Sequence, residues 1–178
     1  GNGFFFVNTK KKSEIQNNII NNIQNCIELG YKLNEIQVIS PIKKGPIGVL
    51  ALNRLIQDNF NPKKRYETEI SIGMDKTFRH RDKVMQTVNN YNLGVFNGEV
   101  GEILYVGKTA NVMEVAVDFG NKEIIYTNEN LNELTLAYAT TIHKSQGLEF
   151  NVVIMPIHNT QSLPLDRNLI YTAWTRAK

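Results

Sequence analysis

The chain has a single cysteine, Cys26, among its 178 residues. It can form no internal disulfide and no cysteine metal cluster, and a reducing cytoplasm is the expected compartment. No apolar run approaches the roughly 20 residues that cross a bilayer. The short patch in "GNGFFFVNTKKK" precedes its charges, the reverse of a signal peptide. Neither a membrane nor a secretory route is expected. There is no HExxH pattern, and His80, His143 and His158 are scattered, so no metal site is expected. A phosphate-binding P-loop is missing too. "GEILYVGKT" ends in the right three residues, but Glu102 stands where the first glycine is needed. The run Ile103 to Val106 also demands a strand, with Gly107 to Thr109 as a hairpin turn, rather than an open loop of N–H groups. No apolar strand ends in paired acidic residues suited to a nucleotide's magnesium. The chain alone is not expected to hydrolyse a nucleotide.

What is present is enough for one core with a small inserted module. Hydrophobic residues at 42% and charged residues at 21% are ordinary for a globular chain. The net charge of +3 is too small to diagnose nucleic-acid binding. Its distribution says more: basic residues bunch at Lys10 to Lys12, Lys43 and Lys44, Lys63 to Arg65 and Arg79 to Lys83. Folded onto one face they would suit phosphates, although a single cluster is most simply a solvated loop.

"FFFV" reads as a short buried strand. Ser13 then caps a helix in which Ile15, Ile19, Ile23 and Ile27 recur every fourth residue until Gly30. "IQVISPI" is a second strand, ended by Pro41, and the loop "KKGPIG" leads into a helix carrying Val49, Leu52, Leu55 and Ile56. Strand, loop and helix in that order form half of a parallel α/β unit. From about Arg65 the texture changes to short β-rich runs, "KVMQTV", "EVGEILYVG", "NVMEVAVDF" and "KEIIYT", separated by turns, which predict a small barrel. After Asn132 the α/β pattern returns: a strand "LTLAYATT", a polar turn "IHKSQG", a strand "NVVIMPI" and a helix "RNLIYTAWTRAK". The expected organisation is one α/β domain, residues 1–64 and 133–178, interrupted by a β-barrel at 65–132.

The densest chemistry lies in "TTIHKSQGLEF", Thr140 to Phe150. A strand ending in Thr140 and Thr141 would present His143, Lys144, Ser145 and Gln146 at the carboxyl edge of a parallel sheet, where α/β domains bind ligands. Hydroxyl, imidazole and amide groups can donate to phosphate oxygens of a nucleic-acid backbone without reading sequence. Glu149 would repel phosphate, and suits a ribose or a neighbouring cation instead. In "LIYTAWTRAK" an arginine on a rigid helix, Arg176, is placed to act on phosphates held by a neighbouring domain.

"LAYATTIHKSQGLEFNVVIMP" followed by "RNLIYTAWTRAK" resembles motifs V and VI of superfamily 1 helicases. "VISPIKKGPIGVLALNRLIQDNFNP" and "DKVMQTVNNYNLGVFNGEVGEI" narrow the resemblance to the RecD-like branch, the exodeoxyribonuclease V alpha chain family. It runs over nearly the whole chain, in the family's order of blocks. The resemblance implies the C-terminal part of an ATP-dependent helicase moving 5′ to 3′ on single-stranded DNA in repair and recombination. The implied fold is the second RecA-like core domain with an inserted SH3-like barrel. ATP and Mg²⁺ would be bound mainly by an upstream core domain, and partners would be single-stranded DNA, that domain and other exonuclease V subunits. Carried onto this sequence, Arg176 matches the motif VI arginine that reaches the γ-phosphate. Gly147 and Glu149 match motif V residues near the nucleotide, and Thr141, His143 and Lys144 fall on its DNA side. Lys43, in the motif IV position where relatives usually have an arginine, is likewise expected to be ATP-binding; lysine keeps the charge and loses the bidentate fork. Arg81 stands where the family commonly has a glycine before "DKVMQ".

Two rivals come from other classes. A nucleic-acid-binding module without ATPase coupling would hold a strand on its basic loops and on Tyr91 and Phe96. A protein-docking barrel would need an aromatic groove. Both leave Arg176 and the Gly147 and Glu149 pair unexplained.

Overall fold

The computed structural model describes residues 3–9, 12–73, 76–146, 148 and 150–158. The chain divides into two compact units, one built from residues 1–59 and 138–178, the other from residues 60–137. The second is thus an insertion in the sequence of the first. The textural boundaries at 65 and 132 lie a few residues inside that division.

The first unit holds a four-stranded parallel sheet. Its strands are β1 (Gly3–Thr9), β2 (Ile36–Ser40), β10 (Ala139–Thr141) and β11 (Val152–His158), in the order β1-β11-β2-β10. All five residues of β2 are buried, as a central parallel strand covered on both faces requires. Helix α1 (Lys12–Glu28) packs on β1 and β11, and its stripe of Ile15, Ile19 and Ile23 is at most 1% exposed. Each such side chain contributes about 1.5–3 kcal/mol through burial. The helix begins at Lys12, one residue before the expected cap Ser13. It ends in a left-handed Gly30 (φ 99°), with Tyr31 N–H donating to Cys26 O at 3.1 Å and Gly30 N–H to Ile27 O at 2.9 Å. That pair of bonds is the Schellman stop. Helix α2 (Val49–Phe60) turns Leu52 and Ile56 inward.

The second unit is antiparallel. A hairpin of β3 (Ile70–Ile72) and β4 (Lys76–Phe78) accompanies a five-stranded sheet. That sheet comprises β5 (Lys83–Gln86), β6 (Val100–Lys108), β7 (Met113–Asp118), β8 (Glu123–Thr127) and β9 (Leu134–Leu136), in the order β8-β7-β6-β5-β9. The register shifts between Ile103 and Tyr105, a bulge that bends β6. The hairpin contacts β6 and β9, and Phe78, Val84, Ile103, Val117 and Tyr126 of this unit are all fully buried. The fold is a RecA-like parallel-sheet domain with an inserted SH3-like barrel.

Three expectations change. "LTLAYATT" is two strands, because β9 pairs with β5 in the barrel sheet while β10 pairs with β2 in the parallel sheet. The turn expected at Gly107 to Thr109 lies later: β6 runs through Lys108, and Thr109 N–H bonds Val112 O at 2.9 Å. The β3–β4 hairpin was not expected, since each strand is only three residues long. The helix expected over "RNLIYTAWTRAK" lies outside the described residues.

Candidate functional site

Strands β2 and β10 pair in parallel with Val38 beside Ala139, Ile39 beside Thr140 and Ser40 beside Thr141. They end level, so the loop after β2 and the short 3-10 turn after β10 (His143–Ser145) leave the sheet at the same edge. Lys43 comes from the first and Lys144 from the second, and both are exposed. Burial of part of the Lys144 side chain, then the positive charge of Lys43, pulls its ammonium below the ordinary lysine range. Two residues 101 apart in sequence thereby become one cationic feature.

The Lys43 loop is held tightly. Ser40 is fully buried and its hydroxyl donates to Ile47 O at 2.7 Å. Gly48 N–H bonds Gly45 O at 2.9 Å and Val49 N–H bonds Ile42 O at 3.0 Å. At Gly48 only glycine fits, because a Cβ would lie 2.5 Å from the Lys44 carbonyl carbon. The leading N–H groups of α2 are therefore taken by the loop's own carbonyls. These bonds reduce the backbone N–H groups that this helix end can offer a phosphate, and the lysine side chains supply positive charge at the edge.

The turn after β10 alternates anchors with exposed groups. Ile142 and Phe150 are buried against Ile39, Val153 and Met155, with Leu148 packed beside them. Lys144 N–H reaches Thr141 Oγ1 at 3.4 Å, while His143, Lys144 and Gln146 face solvent. Ser145 differs from expectation: it is fully buried and its hydroxyl donates to Ile142 O at 2.7 Å, so it shapes the turn and is not offered to a ligand. The structure thus brings Lys43, Thr141, His143 and Lys144 to one edge. Gly147, Glu149 and Arg176 lie outside the described residues.

Two supporting residues went unnoticed in the sequence. Asn53 in α2 is 4% exposed and bonds Ala139 twice, donating to its carbonyl at 2.9 Å and accepting from its N–H at 2.8 Å. Gln37 in β2, fully buried, donates to Tyr138 O and is 3.2 Å from Thr140 Oγ1. Both pin the segment that carries Thr141. Their only signal was a polar residue at an apolar position, Asn53 beside Leu52 and Gln37 inside "IQVIS". Among the described residues no group of three His, Cys, Asp or Glu could hold a metal ion, and no helix is long and apolar enough to cross a membrane.

Residues 52–119 match the family model of the ATP-dependent RecD-like DNA helicase SH3 domain, and residues 136–178 match that of the UvrD-like helicase C-terminal domain. The chain belongs to the RecD-like helicases. It is 38% identical over 143 residues to the ATP-dependent RecD2 DNA helicase of Deinococcus radiodurans, an alignment covering 80% of this chain and 19% of that protein. It is 30% identical over 151 residues to the RecBCD enzyme subunit RecD of Haemophilus influenzae, covering 83% of this chain and 21% of the subunit. The RecD-like chain therefore spans about a fifth of the length of these relatives. Among solved structures it is similar to a Pif1 helicase from a study of unwinding at forked double-stranded DNA, with TM-score 0.54, 26% identity, 96% of this chain and 45% of that one. The fold also matches Bacteroides Pif1 bound to single-stranded DNA, with TM-score 0.55, 22% identity, 96% of this chain and 47% of that one.

Proposed function

We propose that this chain is the second core domain and barrel of an ATP-dependent DNA helicase that moves 5′ to 3′ on single-stranded DNA. The observation that carries the reading is the convergence of Lys43 and Lys144 beside Thr141 and His143 at the carboxyl edge of a RecA-like parallel sheet. Lysine charges at that edge attract a polyanion, and the Thr141 hydroxyl and His143 imidazole add directional hydrogen bonds to its phosphates. The core is assigned to the compact unit of residues 1–59 and 138–178, and the barrel to residues 60–137.

ATP with Mg²⁺, when bound, supplies the phosphoryl-transfer energy that drives the motion. The described residues suit a share of its phosphate charge, through Lys43, and do not suit the metal, since they lack an acidic cluster. An upstream core domain of the same protein is the proposed holder of nucleotide and metal. Arg176 is the proposed γ-phosphate contact, with Gly147 and Glu149 beside the nucleotide. In this reading Thr141, His143 and Lys144 bind and orient the strand, and Lys43 stands between strand and nucleotide. Other exonuclease V subunits are proposed partners, and cytoplasmic repair or recombination is the proposed setting.

The test is single-stranded DNA affinity of the chain against salt concentration. Each lysine that neutralises a phosphate contributes about 0.7 to the slope of log K on log salt. K43A and K144A should each lower the slope by about that amount. Unchanged slopes in both variants would remove the sheet edge from DNA binding. In the protein with its upstream core domain, R176A should abolish ATP turnover and keep ATP binding, and wild-type turnover there would refute the Arg176 role.

A further inference from the structure

The barrel carries an aromatic feature that the sheet-edge site does not use. Between β5 and β6 the chain forms a tight hairpin, closed by Asn90 N–H to Val95 O at 2.8 Å and Val95 N–H to Asn90 O at 3.1 Å. Val95 is fully buried beneath it. Glu133 braces it from the side: its carboxylate accepts from Gln86 Nε2 at 2.8 Å and Asn90 Nδ2 at 3.0 Å, and its carbonyl accepts from Thr87 N–H at 2.8 Å. Lys122 spans the far side, with its ammonium 2.6 Å from Gly94 O and 2.7 Å from Glu99.

This scaffold presents two rings. Phe96 is 43% exposed, with the Lys122 ammonium 5.7 Å from its centre and Tyr91 meeting it edge-on at 5.8 Å. Tyr91 is 78% exposed. Scattered exposed aromatics are ordinary; a ring held this way by a braced hairpin is a prepared surface. Stacking on it requires little further loss of side-chain freedom, because the Phe96 contact already orients Tyr91.

We infer that Tyr91, steadied by Phe96 and Lys122, is a stacking platform for one unpaired nucleobase, a contact on the barrel separate from the sheet edge. The surroundings favour a base over a protein surface. Residues 87–98 contain four asparagines and no charged side chain, and exposed Asn92 and Asn97 carry both the donors and the acceptors that base edges present. Stacking on an aromatic face is tolerant of sequence, as a translocating protein requires. The choice of single-stranded DNA as the source of that base rests on the helicase reading.

The experiment uses the 178-residue chain with a fluorescein-labelled oligothymidylate and with an abasic strand of equal length, both at low salt. Loss of one stacked base weakens binding by about 5-fold to about 150-fold. Y91A should show that loss on oligothymidylate, Y91F should bind like the wild type, and on the abasic strand all three should bind alike. The exposure of Tyr91 leaves the fold intact in Y91A, which a far-UV melting curve checks. Wild-type affinity in Y91A overturns the inference and leaves the hairpin as a protein-docking face; an equal loss on the abasic strand, or no binding by the wild type, overturns it as well. The double variant K43A/K144A separates the two proposals: loss there with Y91A unaffected removes only the stacking platform, and the reverse pattern removes only the sheet edge.

Discussion

Arg81 is the one non-glycine residue with positive φ among the described residues, at 69°. It forms the corner between β4 and β5, where its N–H donates to Ile103 O at 2.7 Å. The next residue, Asp82, is fully buried and accepts from Arg79 N–H at 2.6 Å and Asn61 Nδ2 at 2.8 Å, so the corner cannot relax. A side chain in the left-handed region costs about 1–2 kcal/mol through its Cβ. Glycine removes that strain and returns about 0.5–1 kcal/mol of it through the greater freedom of the unfolded chain. R81G should therefore be about 0.5–1 kcal/mol more stable than the wild type. R81A is the informative control, because alanine keeps the Cβ and loses the guanidinium, whose charge helps hold the Glu67 carboxyl down after the stronger effect of the Lys64 hydrogen bond. The difference between R81G and R81A isolates the backbone, at about 1 kcal/mol in favour of glycine. Thermal denaturation followed by far-UV circular dichroism would show it as roughly 4–8 °C if the barrel melts alone and roughly 2–4 °C if the whole chain melts together. R81G no more stable than R81A would refute the strain argument. R81P, which removes the N–H bonded to Ile103 and forces φ negative, should not fold.

N53A leaves the Ala139 N–H and carbonyl buried without their side-chain partner, a loss of about 2–6 kcal/mol at about 1–3 kcal/mol per group; a urea midpoint corresponding to less than about 1 kcal/mol would show that these groups find other partners. Lys83 is 4% exposed, and burial pulls its ammonium from 10.5 down to about 7. Between those values the unfolded chain binds the proton and the folded chain does not, so stability rises with pH from about 7 towards 10, by up to about 1.4 kcal/mol per pH unit, and the full penalty is present below 7. K83M should flatten that rise in a series of urea titrations, and an unchanged slope would place its origin elsewhere.

The elements legible in the sequence are those whose pattern is local and repeated. Isoleucines four apart in α1, the unbroken apolar run of β2 and the turn-separated runs of the barrel each announce a period and a stop. What stayed hidden depends on pairing across distance. Nothing local in "LTLAYATT" shows that Leu134 to Leu136 serves one sheet and Ala139 to Thr141 another, because both strands need the same apolar residues. The three-residue strands β3 and β4 are too short to display alternation. At the site, the lysines were visible as residue types and their meeting was not, since it follows from the parallel register of β2 and β10. Ser145 was misplaced for a related reason: a serine in a polar run looks available, and only the packing of Ile142 and Phe150 beneath the turn shows that its hydroxyl is consumed.

The Lys43 loop shows how a site of this type fixes position without fixing geometry at the ligand. Ser40, Gly48 and the carbonyls of Ile42 and Gly45 determine where the loop backbone lies, and they occupy the leading N–H groups of α2 in doing so. The positive end of the helix is then spent on the loop, and attraction for an anion passes to the Lys43 and Lys144 ammonium groups on flexible stems. A point charge on a mobile stem follows a phosphate as it moves, whereas a backbone nest or a guanidinium fork demands one orientation. For a protein proposed to let a strand slide past between steps, tolerance of orientation at the strand side and strict orientation at the nucleotide side are compatible requirements. The former suits Lys144, with Lys43 between strand and nucleotide, and the latter is the role proposed for Arg176.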